Sequence, residues 1–427
     1  MEIGIAYGKE IKRININKKN VIEIISPDLA KPVRNVRNLI KLAIKNSIGT
    51  PPLEQIVKPE HKIVFIVDDI TRPTPTKQIL QPLLEFLENI GVPDRNIFII
   101  FALGVHKKMN DFEMEHTLGE EIFNRFRCIN HDAFDATQLV DLGKTKFGTP
   151  VYINKKVVEA DIRILTGIIK PHNLAGYSGG AKSILPGVCG EKTILYNHSF
   201  KTQSHPYSRQ GIIDKNPLRK DIEETIKKLG VTYIVNLVLD YKQNVYKGVA
   251  GDYIEAHRKG AKYCNELAQK KISKQADICI CGTPSPFDIN VYQMANSFVA
   301  PYLCPHPIIK KGGIIICAGE ALAGISDGDI YESIVNASSL EEIYKQIQKQ
   351  DCKIKERAGV QFFCDLLMNF TCYMVSDVRN KEKLNNMGFK YYFNLQEAVD
   401  RAMDIKGINA QVTILPYAPC VIPDFVG

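Results

Sequence analysis

The stretch Lys62-Ile63-Val64-Phe65-Ile66-Val67-Asp68-Asp69-Ile70-Thr71-Arg72-Pro73-Thr74-Pro75 decides the fold class. A short, continuous β-branched and aromatic run reads as a strand buried on both faces of a parallel sheet. The run stops at two aspartates, and two prolines hold the next loop open. Ile79, Leu80, Leu83, Leu84, Leu87 and Ile90 then recur at helical spacing. Thr76 is placed to cap that helix, Pro82 marks its kink or its true start, and Gly91 is its stop. A second apolar run over residues 96–101 leads directly into Gly104-Val105-His106. Strand, helix and strand in this order predict a parallel sheet covered by helices on both faces. In such sheets ligands bind beyond the carboxyl ends of the strands, where Asp69, Arg72 and His106 fall.

Working outward, residues 2–6 and 21–25 read as strands and residues 36–48 as a helix. A strand over 161–166 runs into the most unusual segment of the chain, Gly167 to Gly187. Asn216-Pro217 opens a helix that Gly230 stops, and residues 231–238 and 244–249 read as paired strands. The polar, basic stretch 269–275 divides the chain. Beyond it the rhythm resumes, with strands at 277–281, 313–317, 371–376 and 411–415 and helices at 339–349 and 358–368, the first with Ser339 and Glu342 as a capping box. The expected fold class is therefore α/β, as two α/β domains with mainly parallel sheets. Residues 1–268, rejoined by the tail 416–427, form the first, and residues 276–409 form the second.

The 427 residues carry 55 Lys and Arg against 47 Asp and Glu, a net +8 spread along the chain. That balance suits a small anionic molecule at least as well as nucleic acid, and the expectation is no nucleic-acid partner. No apolar run approaches the roughly 20 residues a membrane span needs, so no membrane partner is expected either. The opening residues lack the apolar core of a signal peptide. Eleven cysteines, an odd number without a CxxC pair, read as free thiols of a cytoplasmic protein. No fixed oligomeric state follows from the sequence.

Within the central segment, Gly176, Gly179 and Gly180 let backbone N–H groups approach an anion, with Lys182 and Ser183 immediately after. The spacing matches neither the Walker A nor the GxGxxG pattern, so ATP and dinucleotides are disfavoured while phosphate binding is not. Lys182 reads either as a lysine that attacks a carbonyl carbon or as a point charge for phosphate. His106 and His172 each follow a strand, the placement of an acid/base pair or of two loop histidines. His198 reads as a metal ligand or as a satisfied core histidine; no second ligand stands near it in sequence. Arg72 beside Asp69 offers a fork for a carboxylate or forms a loop ion pair. Asp288, Gln293 and Asn296 follow a Pro-Ser-Pro loop and offer hydrogen bonds from the second half.

Taken in order, Asp69-x-Thr71-Arg72-Pro73-Thr74-Pro75, Gly104-x-His106, Thr149-Pro150-Val151-Tyr152-Ile153-Asn154, Lys170-Pro171-His172 through Gly187, Asn197-His198 and Tyr292-Gln293 resemble the nickel-dependent lactate racemase family. The resemblance runs through most of the chain. It implies two α/β domains closing on a cleft, and racemisation or epimerisation of a 2-hydroxy acid by hydride transfer. It implies a nickel-pincer nucleotide, a Ni(II) complex of a pyridinium bisthiocarboxylic acid mononucleotide, made by separate cofactor-synthesis enzymes. Lys182 is implied as its covalent tether and His198 as the nickel ligand. His106 and His172 are implied as the acid/base pair. Arg72, Gln293 and Asn296 are implied as substrate contacts. Asp69, Thr71, Gly176, Tyr177, Ser178, Gly179 and Gly180 are implied around the cofactor. Asn296 stands where the lactate-acting members carry lysine, Lys107 where arginine is usual, and the chain has no tryptophan. These departures imply a 2-hydroxy acid other than lactate. Two other readings are an NAD-dependent 2-hydroxy acid dehydrogenase, which lacks its dinucleotide fingerprint here, and a non-catalytic carrier of the nickel cofactor, which needs no paired histidines.

Overall fold

A computed structural model describes residues 1–326, 328–349 and 354–426. The run that opened the sequence reading is the strand Ile63–Val67, and all five of its residues are buried. It lies inside a six-stranded sheet ordered Val245–Gly251, Val231–Leu239, Ile162–Ile168, Ile63–Val67, Ile97–Phe101, Arg127–Asn130. Only the Val245–Gly251 strand runs antiparallel to its neighbour. Alternation sends Val64, Ile66, Ile100 and Leu165 to one face and Phe65, Val67, Ile99 and Ile164 to the other. The second face packs on the helices Val36–Lys45 and Thr76–Ile90. The first packs on the glycine-rich segment and the helix Pro217–Ile226.

Two local expectations shift. Pro75, not Thr76, occupies the N-cap of the Thr76–Ile90 helix, without a side-chain cap bond, and Thr76 Oγ1 donates to the Thr74 carbonyl at 3.4 Å. The proline before it already fixes the entry direction. Pro82 sits inside that helix, and Gly91 ends it at φ +88°, where a side chain would be strained.

The second sheet has eight strands. Lys390–Tyr392, Thr371–Val375, Ile309–Ala318 and Ala276–Pro284 run parallel, and Val412–Leu415 and Val21–Ile24 continue from Ala276–Pro284. Glu2–Gly8 and Glu10–Asn15 belong here too, through Tyr7↔Thr283 and Gly8↔Pro284. The three strands within the first 24 residues, expected in the first domain, therefore belong to the second sheet. Ile3, Ile5 and Ile14 bury against Ile278, Ile280 and Tyr373, a partner that local sequence does not reveal. The presumed linker is also partly a strand: Gln269–Ile272 pairs in parallel with Ile422–Phe425 of the tail. In that tail Ile422 joins the first core, while Ala418 and Val421 join the second. Among the described residues no helix is long and apolar enough to cross a membrane.

Candidate active site

Three parallel strands of the first sheet deliver the polar groups from their carboxyl ends. Asp68 and Asp69 follow Ile63–Val67, His106 follows Ile97–Phe101, and Lys170 and His172 follow Ile162–Ile168. Asp69 is buried and accepts from Thr71 N at 2.8 Å, a side-chain turn that also receives the Thr71 hydroxyl. Its other oxygen pairs with His106 Nδ1 at 2.8 Å. Burial opposes the Asp69 charge. The bond and charge of His106, the Arg72 guanidinium and the Thr71 hydroxyl outweigh it and hold the carboxyl down to about 2. An ionised Asp69 fixes the proton of a neutral His106 ring on Nδ1 and leaves Nε2 for a substrate proton.

The glycine-rich segment folds back over the same strand ends. Ser178 Oγ donates to Ile168 O at 2.8 Å and accepts from Lys170 N at 3.0 Å, while Ser178 N donates to Lys170 O at 2.9 Å. Gly176 has φ +77°, and a Cβ there would lie 2.2 Å from Ile212 O. Gly180 has φ +58°, and its Cβ would lie 2.7 Å from the His257 ring, so both positions require glycine. Gly179 also lies in left-handed backbone, at φ +70°. The 3₁₀ turn Gly180–Ser183 that follows presents Lys182.

Tyr177 and Ser178, expected at the cofactor, use their side chains elsewhere. Tyr177 is buried in the core with its hydroxyl on Asn265, and Ser178 is the brace just described.

The electrostatics favour neutral bases and amines. His198 caps the helix Glu191–Asn197, and its Nδ1 donates to Ile194 O at 3.2 Å, leaving the Nε2 lone pair unengaged. Burial, then the Lys182 charge, lowers its pKa to about 4. His172 Nδ1 accepts from Leu174 N and Ala175 N, each at 3.2 Å, so a neutral ring carries its proton on Nε2. Burial, followed by the charges of Lys182, Arg72, Arg219 and His198, drives its pKa well below the histidine range. Burial, then Arg219 and Arg72, brings Lys182 down to about 7, with Asp68 pulling the other way. Lys170 also falls to about 7, through burial and then Arg72.

Arg72, Lys182 and His198 lie close enough to His172 for their charges to act on it, and His106 is held on Asp69, which also feels Arg72. Neither Arg72 nor Lys182 has an ion pair among the described residues. Asp68 lies beside this cation group; burial raises its pKa, and Thr74 Oγ1 donates to it at 2.5 Å.

The second unit meets this cluster through residues that sequence reasoning passed over. The Phe287 ring lies 4.4 Å from the Lys170 ammonium, and Tyr292 feels the charge of Arg72. Gln293 and Asn296 lie on the same helix as Tyr292, Val291–Tyr302; Asn290 caps it through Gln293 N at 2.8 Å, and Asn296 Nδ2 donates to Gln293 O at 2.8 Å. Both are half-buried, and neither bonds to the first unit among the described residues.

Arg219 was also missed. It is fully buried, its Nε donates to Ala175 O at 3.1 Å, and its Nη2 donates to Tyr177 O. Its Nη1 has no partner among the described residues. Burial, opposed by Glu223, lowers its pKa to about 10, so it stays charged at neutral pH. Nothing in the local sequence marks it, because a charged residue on an amphipathic helix reads as solvated.

Two family models match the chain: the lactate racemase N-terminal domain over residues 7–211 and the lactate racemase C-terminal domain over residues 271–422. The lactate racemase of Thermoanaerobacterium thermosaccharolyticum is 29% identical over 425 residues, 98% of each chain. That of Lactiplantibacillus plantarum is 31% identical over 380 residues, 88% of each. The structure of the T. thermosaccharolyticum lactate racemase apoprotein superposes with a TM-score of 0.92 at 28% identity, covering 99% of this chain and all of the other. The chain thus belongs to the lactate racemase family.

Proposed function

We propose that this protein racemises or epimerises a 2-hydroxy acid with a nickel-pincer nucleotide tethered at Lys182. The observation that carries the reading is the convergence of a half-buried, partly neutral Lys182 amine, a His198 ring with its Nε2 lone pair unengaged, and two further histidines at one set of strand ends.

The residues fit the group. Arg72, Lys170, Lys182 and Arg219 outnumber the carboxylates near them, and Arg219 Nη1 is a buried donor without an acceptor. A nucleotide phosphate supplies the missing negative charge. A metal ligand must be unprotonated, as His198 is at neutral pH. Lys182 would carry the tether, His198 the nickel, and the backbone of residues 176–180 would face the nucleotide.

When bound, the group supplies a hydride acceptor for the substrate carbon. The protein supplies the rest. Arg72 holds the substrate carboxylate, and His106, pinned by Asp69, accepts or returns the hydroxyl proton at Nε2. His172 is the second proton carrier. To accept a proton at Nε2 its ring must first shift its own proton to Nδ1 and release the two 3.2 Å contacts from Leu174 and Ala175. The second unit covers the cleft through Phe287 and Tyr292 and excludes water.

The neutral Asn296 and the absence of tryptophan support a substrate other than lactate. The ten cysteines described are all free, which supports a reducing, cytoplasmic setting. The test is co-production with cofactor-synthesis enzymes, followed by intact-mass measurement and a racemisation screen over 2-hydroxy acids. A covalent adduct with turnover, both lost in Lys182→Ala, is expected. Turnover that survives in Lys182→Ala contradicts the assignment.

A further inference from the structure

The Thr149–Asn154 motif contributes nothing directly to the site above, yet its first residue enters a buried polar network one step from His198. Asp221 lies on the helix Pro217–Ile226 and accepts three side-chain hydrogen bonds, two from the 145–149 turn and one from the helix Glu191–Asn197. Thr145 Oγ1 donates to Oδ1 at 2.7 Å. Thr149 Oγ1 and Asn197 Nδ2 donate to Oδ2 at 2.6 and 2.8 Å. All four residues are buried.

Asn197 is the last residue of the helix Glu191–Asn197, and His198 follows it. Asn197 Nδ2 also reaches Leu218 O at 3.4 Å, while its Oδ1 has no partner among the described residues. Among the described residues the short hydrogen bond of that amide is therefore the one to Asp221. The strand that Thr149 leads into, Pro150–Asn154, grips the same helix from its other end. Tyr152 N donates to Thr193 Oγ1 at 2.9 Å, Gly190 N donates to Tyr152 O at 2.9 Å, and Asn154 N donates to Val188 O at 3.0 Å. Two residues before Asp221, Arg219 holds the carbonyls of Ala175 and Tyr177 in the segment that leads to Lys182. One helix thus anchors both the segment of the tether lysine and the helix of His198.

We propose that Asp221, acting through Asn197 and Thr149, is a positioning residue that sets the His198 imidazole for nickel. The inference rests on His198 being the nickel ligand. A buried carboxylate satisfied by three donors is stiff, because displacing any one of them strands a polar group. The last helical turn is thereby fixed, and the Nδ1–Ile194 bond then fixes the ring upon it. Partners that orient a metal ligand typically govern metal affinity by 10- to 100-fold.

The test compares wild type, Asp221→Asn, Thr149→Val and Thr149→Ser, all loaded with cofactor. Three quantities are read: nickel release to a chelator, the Lys182 mass adduct, and the melting temperature of the apoprotein. Asp221→Asn and Thr149→Val are expected to release nickel about tenfold faster or more while keeping the adduct. Thr149→Ser, which retains the hydroxyl, behaves as wild type. Release within twofold of wild type in Asp221→Asn overturns the proposal. So does loss of nickel and adduct together in step with the melting temperature.

Hydrogen exchange on the apoprotein tests the same point without cofactor. In Asp221→Asn the amides of residues 194–198 exchange at least tenfold faster while those of the Ile162–Ile168 strand do not change. Equal exchange at residues 194–198 also overturns the proposal. A wild type that never takes up the cofactor contradicts the proposed function and leaves the exchange result to judge the network.

Discussion

Replacing Asp69 with Asn probes the pair on which His106 depends. In the native protein the Asp69 carboxyl is held about two pH units below its ordinary value, although burial alone would raise it. A depressed carboxylate stabilises the fold at pH values above its unfolded pKa and loses that contribution as pH falls through the folded one. The window here runs from about 4 down to about 2. Two pH units correspond to about 3 kcal/mol, an order-of-magnitude figure. Urea unfolding at pH 6 should place Asp69→Asn below wild type by about that amount, and the gap should close as pH approaches 2. The effect on turnover should be larger in proportion. An amide at position 69 no longer fixes the His106 tautomer across the 2.8 Å contact, and losses of 10²- to 10⁴-fold are typical of an unpinned base. The reasoning fails if the stability gap does not depend on pH, or if Asp69→Asn turns over within twofold of wild type.

Acylation of Lys182 in the apoprotein by a small amine reagent, followed by peptide mass mapping, should be half-maximal near pH 7, where an ordinary lysine needs pH above 10. Arg219→Met should move that midpoint upward, because it removes a neighbouring positive charge. Phe65→Ala, at a fully buried position in the central strand, should cost about 3–5 kcal/mol in urea unfolding. Asn296→Lys adds a cation to the helix that faces the cleft and should raise kcat/KM for lactate by about tenfold, the order expected of one charge-assisted contact; unchanged lactate kinetics would remove Asn296 from the specificity argument.

The strands of the first sheet were legible because burial on both faces writes itself as uninterrupted Ile, Val and Phe, as in Ile63–Val67 and Ile97–Phe101. Their order along the chain places Asp69, Arg72, His106 and His172 after strand carboxyl ends. Glu2–Gly8 is equally strand-like, but nothing local says that its partner is residue 283, so it was assigned to the wrong sheet. Sheet membership is a long-range property that propensity does not encode. The same limit hid Arg219 and Asp221. On a helix whose apolar residues mark an inward face, charged neighbours read as the solvated side, yet both bury against loop carbonyls and hydroxyls. Tyr177, placed at the cofactor by the resemblance alone, buries its side chain in the core with its hydroxyl on Asn265. Lys170, Phe287 and Tyr292 are where the second unit meets the site, and their pairing depends on how the units face each other.

The most direct test of the central claim follows the hydrogen on the substrate carbon. Protein matured with the cofactor is given one enantiomer of its 2-hydroxy acid with deuterium at C2, in ordinary water, and both product enantiomers are analysed by mass spectrometry. Hydride transfer with return inside a closed site predicts that the deuterium stays on C2 in both enantiomers. Washout into solvent at the rate of racemisation would mean that a base removes that hydrogen as a proton, and would contradict the account.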